Sequence, residues 1–176
     1  MSKAVLISIK PEWCAKIANG KKSVEIRKTK PNLYVPFKVY IYCTNQKLLF
    51  TPKQDHNFYA TAAKCAENVL KETECDILNG KVIGEFVCNN ICEIDPDHAI
   101  EAVISEESCV SPRDMHEYLG VKTGYGWRIS DLRIYDQPKE LSEFAGLRKT
   151  KFGMEPVAVM RPPQSWCYVE EQTWND

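Results

Sequence analysis

The sequence lacks the closely paired cysteines and histidines of a structural zinc site. Its 176 residues include eight cysteines and three histidines, but no C-x-x-C pair and no H-x-x-x-H pair. Structural zinc normally draws on two tight ligand pairs. We therefore expect a protein that uses no metal and no other cofactor, with its cysteines present as buried free thiols in a reducing compartment.

Long apolar runs are also missing. No segment approaches the roughly 18 apolar residues that a membrane-spanning helix needs. The apolar patch near the start of the chain is too short for a secretory signal, and it is broken at Lys10 and Pro11. These absences predict a cytoplasmic protein with no membrane partner.

Net charge is small overall, at −1, but it is unevenly distributed. Residues 1–60 carry 11 Lys and Arg against 3 Asp and Glu, a net charge of +8, so the remainder carries −9. Most of that negative charge lies in residues 85–118, which contain nine acidic residues and a single basic one, Arg113. The basic part can attract phosphate, and the acidic part is a candidate surface for a basic protein partner. The alternative is that the two parts attract one another on folding.

Apolar periodicity predicts a chain rich in strands. The predicted strands cover residues 5–9, 23–27, 39–43, 81–94 and 127–135, with further strand signals in VAVM and WCYV. Helices are predicted from Pro11 to the stop at Gly20, over residues 111–120 with Ser111 as N-cap, and around Ala62, Ala63, Ala66, Val69 and Leu70. Residues 123–126 have the composition of a glycine-rich turn. About six strands without a βαβ rhythm predict an α+β mixed β-barrel with flanking helices. We expect a single domain over residues 1–176, with a helical insertion at residues 44–80.

The charged segment GKKSVEIRK follows the first predicted helix and has strand alternation. If Val24 and Ile26 face the barrel interior, Ser23, Glu25 and Arg27 share the other face, with alternate residues about 7 Å apart. A hydroxyl, a carboxylate and a guanidinium in a row suit a nucleotide, because they can bind phosphate and base edges. The alternative is a solvated strand face with a weak Glu25–Arg27 pair.

Lysine and aromatic residues complete the candidate site. Lys22 has the parity of the apolar residues but lies at the strand entry, where the turn can swing it into the cleft. Tyr125, Trp127 and Trp166 stand beside Gly, Pro or Ser, where a ring can project from a loop and stack on a base. The alternative is that these rings are core residues, which is the role expected for Trp13.

These residues resemble the ASCH domain, a branch of the PUA-like β-barrels, in its long bacterial and phage form. The G-x-K-[ST]-x-E-x-R motif of that family is matched by Gly20, Lys22, Ser23, Glu25 and Arg27. The stretches YGWRISDLRIYDQPKEL and PPQSWCYVEE are similar to it as well. The resemblance implies a PUA-like barrel with a cleft beside the motif and, as partner, RNA or a modified nucleotide or nucleoside. The residues that we expect to bind it are Lys22, Ser23, Glu25, Arg27, Tyr125 and Trp127.

The resemblance also leaves a hydrolase open. Some small ASCH proteins remove the acetyl group of acetylated cytidine with a Lys, a Thr and a Glu, and others are linked to RNA cleavage. Lys22 matches the Lys, but Glu25 stands where those hydrolases carry Thr, and Glu117 is the candidate for their Glu. Metal-independent RNA cleavage could use Lys22, Glu25 and Arg27. Lys22 and Glu25 are therefore the catalytic candidates, whereas Arg128 replaces a His that is common in related sequences.

Overall fold

The computed structural model describes residues 2–51, 59–63, 77–95, 102–151 and 153–173. The strands are β1 Lys3–Ile9, β2 Val24–Arg27, β3 Phe37–Cys43, β4 Leu48–Thr51, β5 Ala60–Ala63, β6 Val82–Ile94, β7 Gly124–Lys139, β8 Ala145–Thr150, β9 Gly153–Ala158 and β10 Trp166–Glu170. The helices are α1 Pro11–Ala18, α2 Ala102–Ser108 and α3 Pro112–Leu119, with a single 3₁₀ turn at Leu141–Glu143. None of the described helices is long and apolar enough to cross a membrane.

Eight strands form one mixed sheet in the order β2-β7-β6-β3-β1-β10-β8-β9, and β4 pairs with β5 separately. β1 and β3 run parallel, whereas the other neighbours are antiparallel. The architecture is therefore α+β with a mostly stranded mixed sheet, as the sequence predicted. More strands are present than the expected six, because β4, β5 and the β8–β9 hairpin carry weak alternation.

The sheet is rolled, which brings its edge strand β2 back to β1. Four strand spacings separate the two in sheet order, a distance of roughly 19 Å if the sheet were flat. Yet the Arg27 Nη2 atom of β2 donates a hydrogen bond to the Ser8 carbonyl of β1 at 2.7 Å. This barrel is bridged on that side by a side chain, and the bridge lies beside the motif.

The central strands are buried on both faces. Val5 and Ile7 belong to the main core inside the barrel, which also contains Trp127. The alternate residues Ala4 and Leu6 pack on the outer face in a second cluster. Continuous burial explains why β1 reads as an unbroken apolar run, VLISI, with little alternation.

The motif strand has the predicted alternation but the opposite orientation. Val24 and Ile26 pack outside the barrel against α3, in a cluster with Met115 and Leu119. Glu25 is directly opposite Trp127 in the β2–β7 register, so both side chains project to the inner face. The prediction that Val24 and Ile26 face the barrel interior is therefore wrong, because α3 supplies a second apolar surface for them.

Helix α3 forms as its sequence predicted. The Ser111 hydroxyl caps it by accepting a hydrogen bond from the Asp114 backbone N–H at 3.1 Å, and Pro112 is the first helical residue. Gly120 ends the helix with a φ of 66°, a value that a side chain disfavours. The capped helix stands over β2, where it holds one wall of the pocket described below.

Residues 123–126 were predicted as a turn, but β7 already begins at Gly124. The two glycines of this segment are needed for close packing instead. A Cβ atom on Gly126 would lie 2.6 Å from the Cys92 Sγ atom and 3.0 Å from Val24 Cγ1, and one on Gly124 would lie 2.4 Å from Leu119 Cδ2. Glycine is required here because neighbouring side chains fill the space of a Cβ.

The predicted insertion, residues 44–80, is only partly described. Ala62 and Ala63, which we expected in an amphipathic helix, lie in β5 and pair with Leu49 and Leu48 of β4. The first residues of the predicted helix therefore form a paired strand instead. Residues 64–76, which contain the remainder of that predicted helix, lie outside the described residues.

The cysteines that can be described are free thiols. Cys14, Cys43 and Cys88 are buried, whereas Cys92, Cys109 and Cys167 are partly buried; the other two lie outside the described residues. Burial raises the pKa of the Cys14 thiol well above its ordinary value, and its neighbour Cys43 adds to that shift.

Replacing Gly126 by alanine should lower the free energy of unfolding by about 1–3 kcal/mol, the usual cost of overpacking. The added methyl group overlaps Cys92 and Val24. Urea denaturation of Gly126→Ala, Cys92→Ala and the double variant measures the effect. Because Cys92→Ala removes the closer overlap, the double variant should lose less than the sum of the two single losses. Strictly additive losses would contradict this account.

Candidate functional site

A pocket of about 460 Å³ opens between α1 and α3, at the carboxyl end of β1. Its floor comes from β1 and β2, one wall from the first turn of α1, and the other from α3. The loop before β10 closes the remaining side. Its lining residues are Ser8, Ile9, Lys10, Glu12, Trp13, Lys22, Glu25, Ile26, Arg27, Thr44, Gln46, Val110, Asp114, Tyr118, Gln164 and Ser165.

Lys22 reaches the pocket floor through the turn that ends α1. Gly20 has a φ of 70°, and the Lys22 backbone N–H donates to the Lys16 carbonyl at 3.2 Å. The buried Nζ atom donates to the Ser108 carbonyl at 2.6 Å and lies 3.4 Å from Glu25 Oε2. Burial lowers the pKa of the Lys22 ammonium below its ordinary value, and the Glu25 carboxylate opposes that shift. Sequence parity alone would have placed this side chain with the outer apolar residues.

Glu25 lies between two cations. Its Oε1 atom accepts a hydrogen bond from Arg27 Nη1, and its Oε2 atom faces Lys22 without a hydrogen bond of good geometry. Arg27 also donates to the carbonyls of Ser8 and Ile26. The trio is therefore a buried ion-pair network in which one carboxylate serves two cations, and the alternative of a solvated strand face with a weak pair does not describe it.

Two aromatic rings line opposite walls of the pocket. Trp13 stands on α1 with the Nζ atoms of Lys16 and Lys22 at 4.5 and 5.0 Å from its ring centroid. Tyr118 stands on α3, 42% exposed, with Lys28 Nζ 4.9 Å from its ring centroid. Sequence reasoning assigned Trp13 to the core, against which this partly buried side chain does pack, and did not consider Tyr118. The signal for Tyr118 was its i, i+4 spacing from the N-terminal helix residue Asp114, which lines the same wall.

Trp127 is not available to a ligand in this structure. Its ring is fully buried in the main core, 5.9 Å from Phe37 and 6.0 Å from Trp166 between centroids. The expectation that a base stacks on Trp127 therefore gives way to the alternative of a core residue. Trp127 was expected to open its strand, but it is the fourth residue of β7, and the rolled sheet places Trp166 beside its ring.

Three other predicted residues lie apart from the pocket lining. Tyr125 stands on β7 beneath the Lys30 ammonium, at 4.9 Å from its ring centroid. Ser23 holds β2 in place through its backbone, donating to the Glu107 carbonyl at 2.8 Å. Glu117 is exposed on α3. The structure thus brings Lys22, Glu25 and Arg27 together at the pocket and leaves these three residues outside it.

The charges of the pocket lining balance. Three cations, Lys10, Lys22 and Arg27, face three carboxylates, Glu12, Glu25 and Asp114. Uncharged polar groups add amides and hydroxyls, among them a buried Thr44 hydroxyl without a hydrogen-bond partner in the described part of the chain. In that same part, no three His, Cys, Asp or Glu side chains gather as metal ligands would. The lining is therefore rich in donors and acceptors but has no net charge.

The acidic region is partly neutralised by the basic one. Glu85 lies 3.4 Å from Lys38, and Glu93 lies 2.9 Å from Lys30, between the charged atoms. A third acid, Glu107, forms a bidentate pair with Arg128 at 2.8 and 3.0 Å. The pairs made by Lys38 and Lys30 support the alternative in which the two parts of the chain attract one another on folding, whereas the Glu107–Arg128 pair lies within the second part.

No protein-family model matches this chain, and no curated protein does. Among solved structures, ASCH from Zymomonas mobilis has 19% sequence identity and a TM-score of 0.58, over 96% of this chain and 88% of that chain. A tyrosine-to-phenylalanine variant from the same organism has 18% identity and a TM-score of 0.52, over 97% and 92% of the two chains. The chain has the ASCH fold. The fold expected from the resemblance is thereby confirmed.

Glu25→Gln should lower the free energy of unfolding by about 3–5 kcal/mol, because it leaves the Lys22 and Arg27 charges buried without their carboxylate. The matched control is Glu107→Gln, which breaks the partly exposed pair with Arg128 and should cost less than about 1 kcal/mol. Urea denaturation of both variants at neutral pH makes the comparison. Equal losses would show that the Glu25 network is no more important than a surface pair.

Proposed function

We propose that this pocket binds one nucleotide of an RNA, or a free nucleotide or nucleoside, with its base held between α1 and α3. The observation that carries the proposal is the pair of aromatic rings, Trp13 and Tyr118, on opposite walls above a polar floor. Aromatic faces bind bases of any sequence by stacking. The ASCH fold supports the proposal, since it is the fold for which the sequence resemblance implied such a ligand.

The size and chemistry of the pocket suit a base. Its volume, about 460 Å³, lies in the range of small-molecule sites. Lys22, Glu25 and Arg27 are held by one another and by nearby backbone carbonyls, so we assign them the role of a rigid floor. The groups left to read a base edge are amides and hydroxyls, chiefly Gln46, Gln164 and Thr44, because each can donate or accept.

The balanced charge of the lining has a further implication for binding. A neutral pocket gains little from phosphate, so stacking and hydrogen bonds supply most of the affinity for a single nucleotide. We therefore propose that mononucleotide binding depends only weakly on salt, unlike the binding of proteins that neutralise many phosphates.

Tyr118→Ala should weaken nucleotide binding by about 1–3 kcal/mol, the cost of removing a stacking platform. Tyr118 is 42% exposed on a capped helix, so the variant should keep the wild-type melting temperature. Calorimetric titration with nucleoside monophosphates and short RNAs measures the loss. Tyr118→Phe retains the ring and should bind like wild type, as should Lys47→Ala on the exposed segment before β4. Unchanged binding by Tyr118→Ala would remove this ring from the site.

A second candidate function, hydrolysis of an amide on a nucleoside, is favoured by one observation. Thr44 contributes a hydroxyl to the same pocket as Lys22, although Glu25 occupies the motif position where such hydrolases carry Thr. A lysine with a lowered pKa is a suitable general base toward a hydroxyl. However, the Lys22 Nζ atom is already engaged by Ser108 and Glu25, and the Thr44 hydroxyl has no hydrogen-bond partner in the described residues.

We therefore expect weak hydrolysis of acetylated cytidine, or none, since none of the described residues places a base in contact with the Thr44 hydroxyl. Chromatography of the nucleoside after incubation with excess protein provides the measurement. Robust turnover that disappears in both Lys22→Ala and Thr44→Ala would contradict this expectation and make the hydrolase the leading function. Turnover that survives in both variants would point to a contaminating enzyme.

A further inference from the structure

We infer that the loop between β2 and β3, residues 28–36, is a second subsite, along which a single-stranded nucleic acid continues after it leaves the pocket. The inference rests on the proposed function, because the pocket must hold one nucleotide of the same strand. It goes further by making the ligand a polynucleotide several nucleotides long.

The loop runs from the pocket to the opposite end of the barrel. It begins after Arg27, which bonds to Ser8 near the carboxyl end of β1. It ends at Phe37, which the parallel register of β1 and β3 places beside Lys3. Five residue steps along β1 lead from Ser8 to Lys3, a distance of about 17 Å at the usual strand rise.

Two hydrogen bonds hold the loop on the barrel. The Trp166 indole N–H donates to the Thr29 hydroxyl at 3.0 Å, and the Asn32 backbone N–H donates to the Tyr168 hydroxyl at 2.8 Å. The side chains between and after these anchors are therefore displayed from a fixed backbone. A fixed display reduces the entropy lost when a ligand is bound.

Basic and aromatic side chains alternate along this path. Lys28 lies over the ring of Tyr118 at the pocket wall, and Lys30 lies over the ring of Tyr125, each at 4.9 Å from the ring centroid. Tyr34 follows, with 98% of its surface exposed. A positive groove interleaved with aromatic platforms is how proteins bind single strands without sequence preference.

The charge of the loop favours a nucleic acid over a second protein surface. Residues 28–36 contain two lysines, Lys28 and Lys30, and no acid. A groove of about 570 Å³ beside Tyr34 adds two further cations, Lys3 and Lys38, but it is also lined by the acid Glu171. Three acids partly neutralise this surface, because Lys30 is paired with Glu93, Lys38 is paired with Glu85, and Glu171 lines the groove. The phosphates of a strand would share these lysines with their carboxylates.

The path length predicts how many nucleotides are bound. At the ~3.4 Å rise per nucleotide of a strand in a duplex, 17 Å holds at most about five nucleotides, because bases that stack on protein rings lie farther apart. Affinity for oligouridylates should therefore rise from one nucleotide to at most about five beyond the pocket and then level off. Titration of a series of one to eight nucleotides, by calorimetry at fixed salt, measures that dependence.

Tyr34→Ala should weaken binding of the hexanucleotide about tenfold, the effect of losing one stacked base, and leave uridine monophosphate binding unchanged. Tyr34→Phe should retain the wild-type affinity. Val103→Ala is the matched control, since Val103 is 57% exposed on α2. Lys28→Ala and Lys30→Ala should each reduce the salt slope of hexanucleotide binding by about one.

The outcomes separate this inference from the function on which it rests. If uridine monophosphate binds as tightly as the hexanucleotide, or if Tyr34→Ala binds the hexanucleotide like wild type, the loop subsite is overturned and the pocket stands. If neither ligand binds, the proposed function and the subsite both fail. A wild-type dimer in sedimentation velocity that Tyr34→Ala dissociates would assign the loop to a contact between two copies, and would also overturn the subsite.

Discussion

The ion-pair network of Lys22, Glu25 and Arg27 is the constraint on which the rest of this site depends. A carboxylate with only 4% of its surface exposed is costly unless cations and hydrogen-bond donors surround it. Arg27 meets part of that requirement and, through its bond to Ser8, also joins the edge of the sheet to β1. The same ion-pair network therefore closes the barrel on this side and determines the shape of the pocket floor.

The internal pairing of that network separates two roles that sequence reasoning had combined. The motif residues were expected to contact the ligand directly, because alternation placed Ser23, Glu25 and Arg27 on one face. In the structure, the two charged members of that set satisfy each other and the backbone. The exposed surface around them comes from helix residues and loops, which have no motif of their own. A sequence motif of this kind can determine the local structure that shapes a site, as well as the residues that contact a ligand.

Local signals predicted the elements that depend on local chemistry. The Ser111 cap and the Gly120 stop predicted α3, and the strand pattern of residues 81–94 predicted β6. The α+β class followed from the number and order of the strands. What could not be predicted depended on distant neighbours. The burial of Trp127 beneath Trp166, the outward face of Val24 and the need for Gly126 each require knowing how the sheet is rolled.

The hydrogen bond from Lys22 to Ser108 links the pocket floor to a helix on the outer face of the barrel. Ser108 is the last residue of α2, so its carbonyl is one of those that a helix leaves unpaired at its negative end. Lys22 thus caps α2 from below, and the Ser23 N–H bonds to the adjacent carbonyl of Glu107. The segment Lys22–Ser23 thus contacts α2 and also forms part of the pocket floor. Detachment of α2 would therefore open the pocket floor, and we expect α2 and the floor to unfold as one cooperative unit.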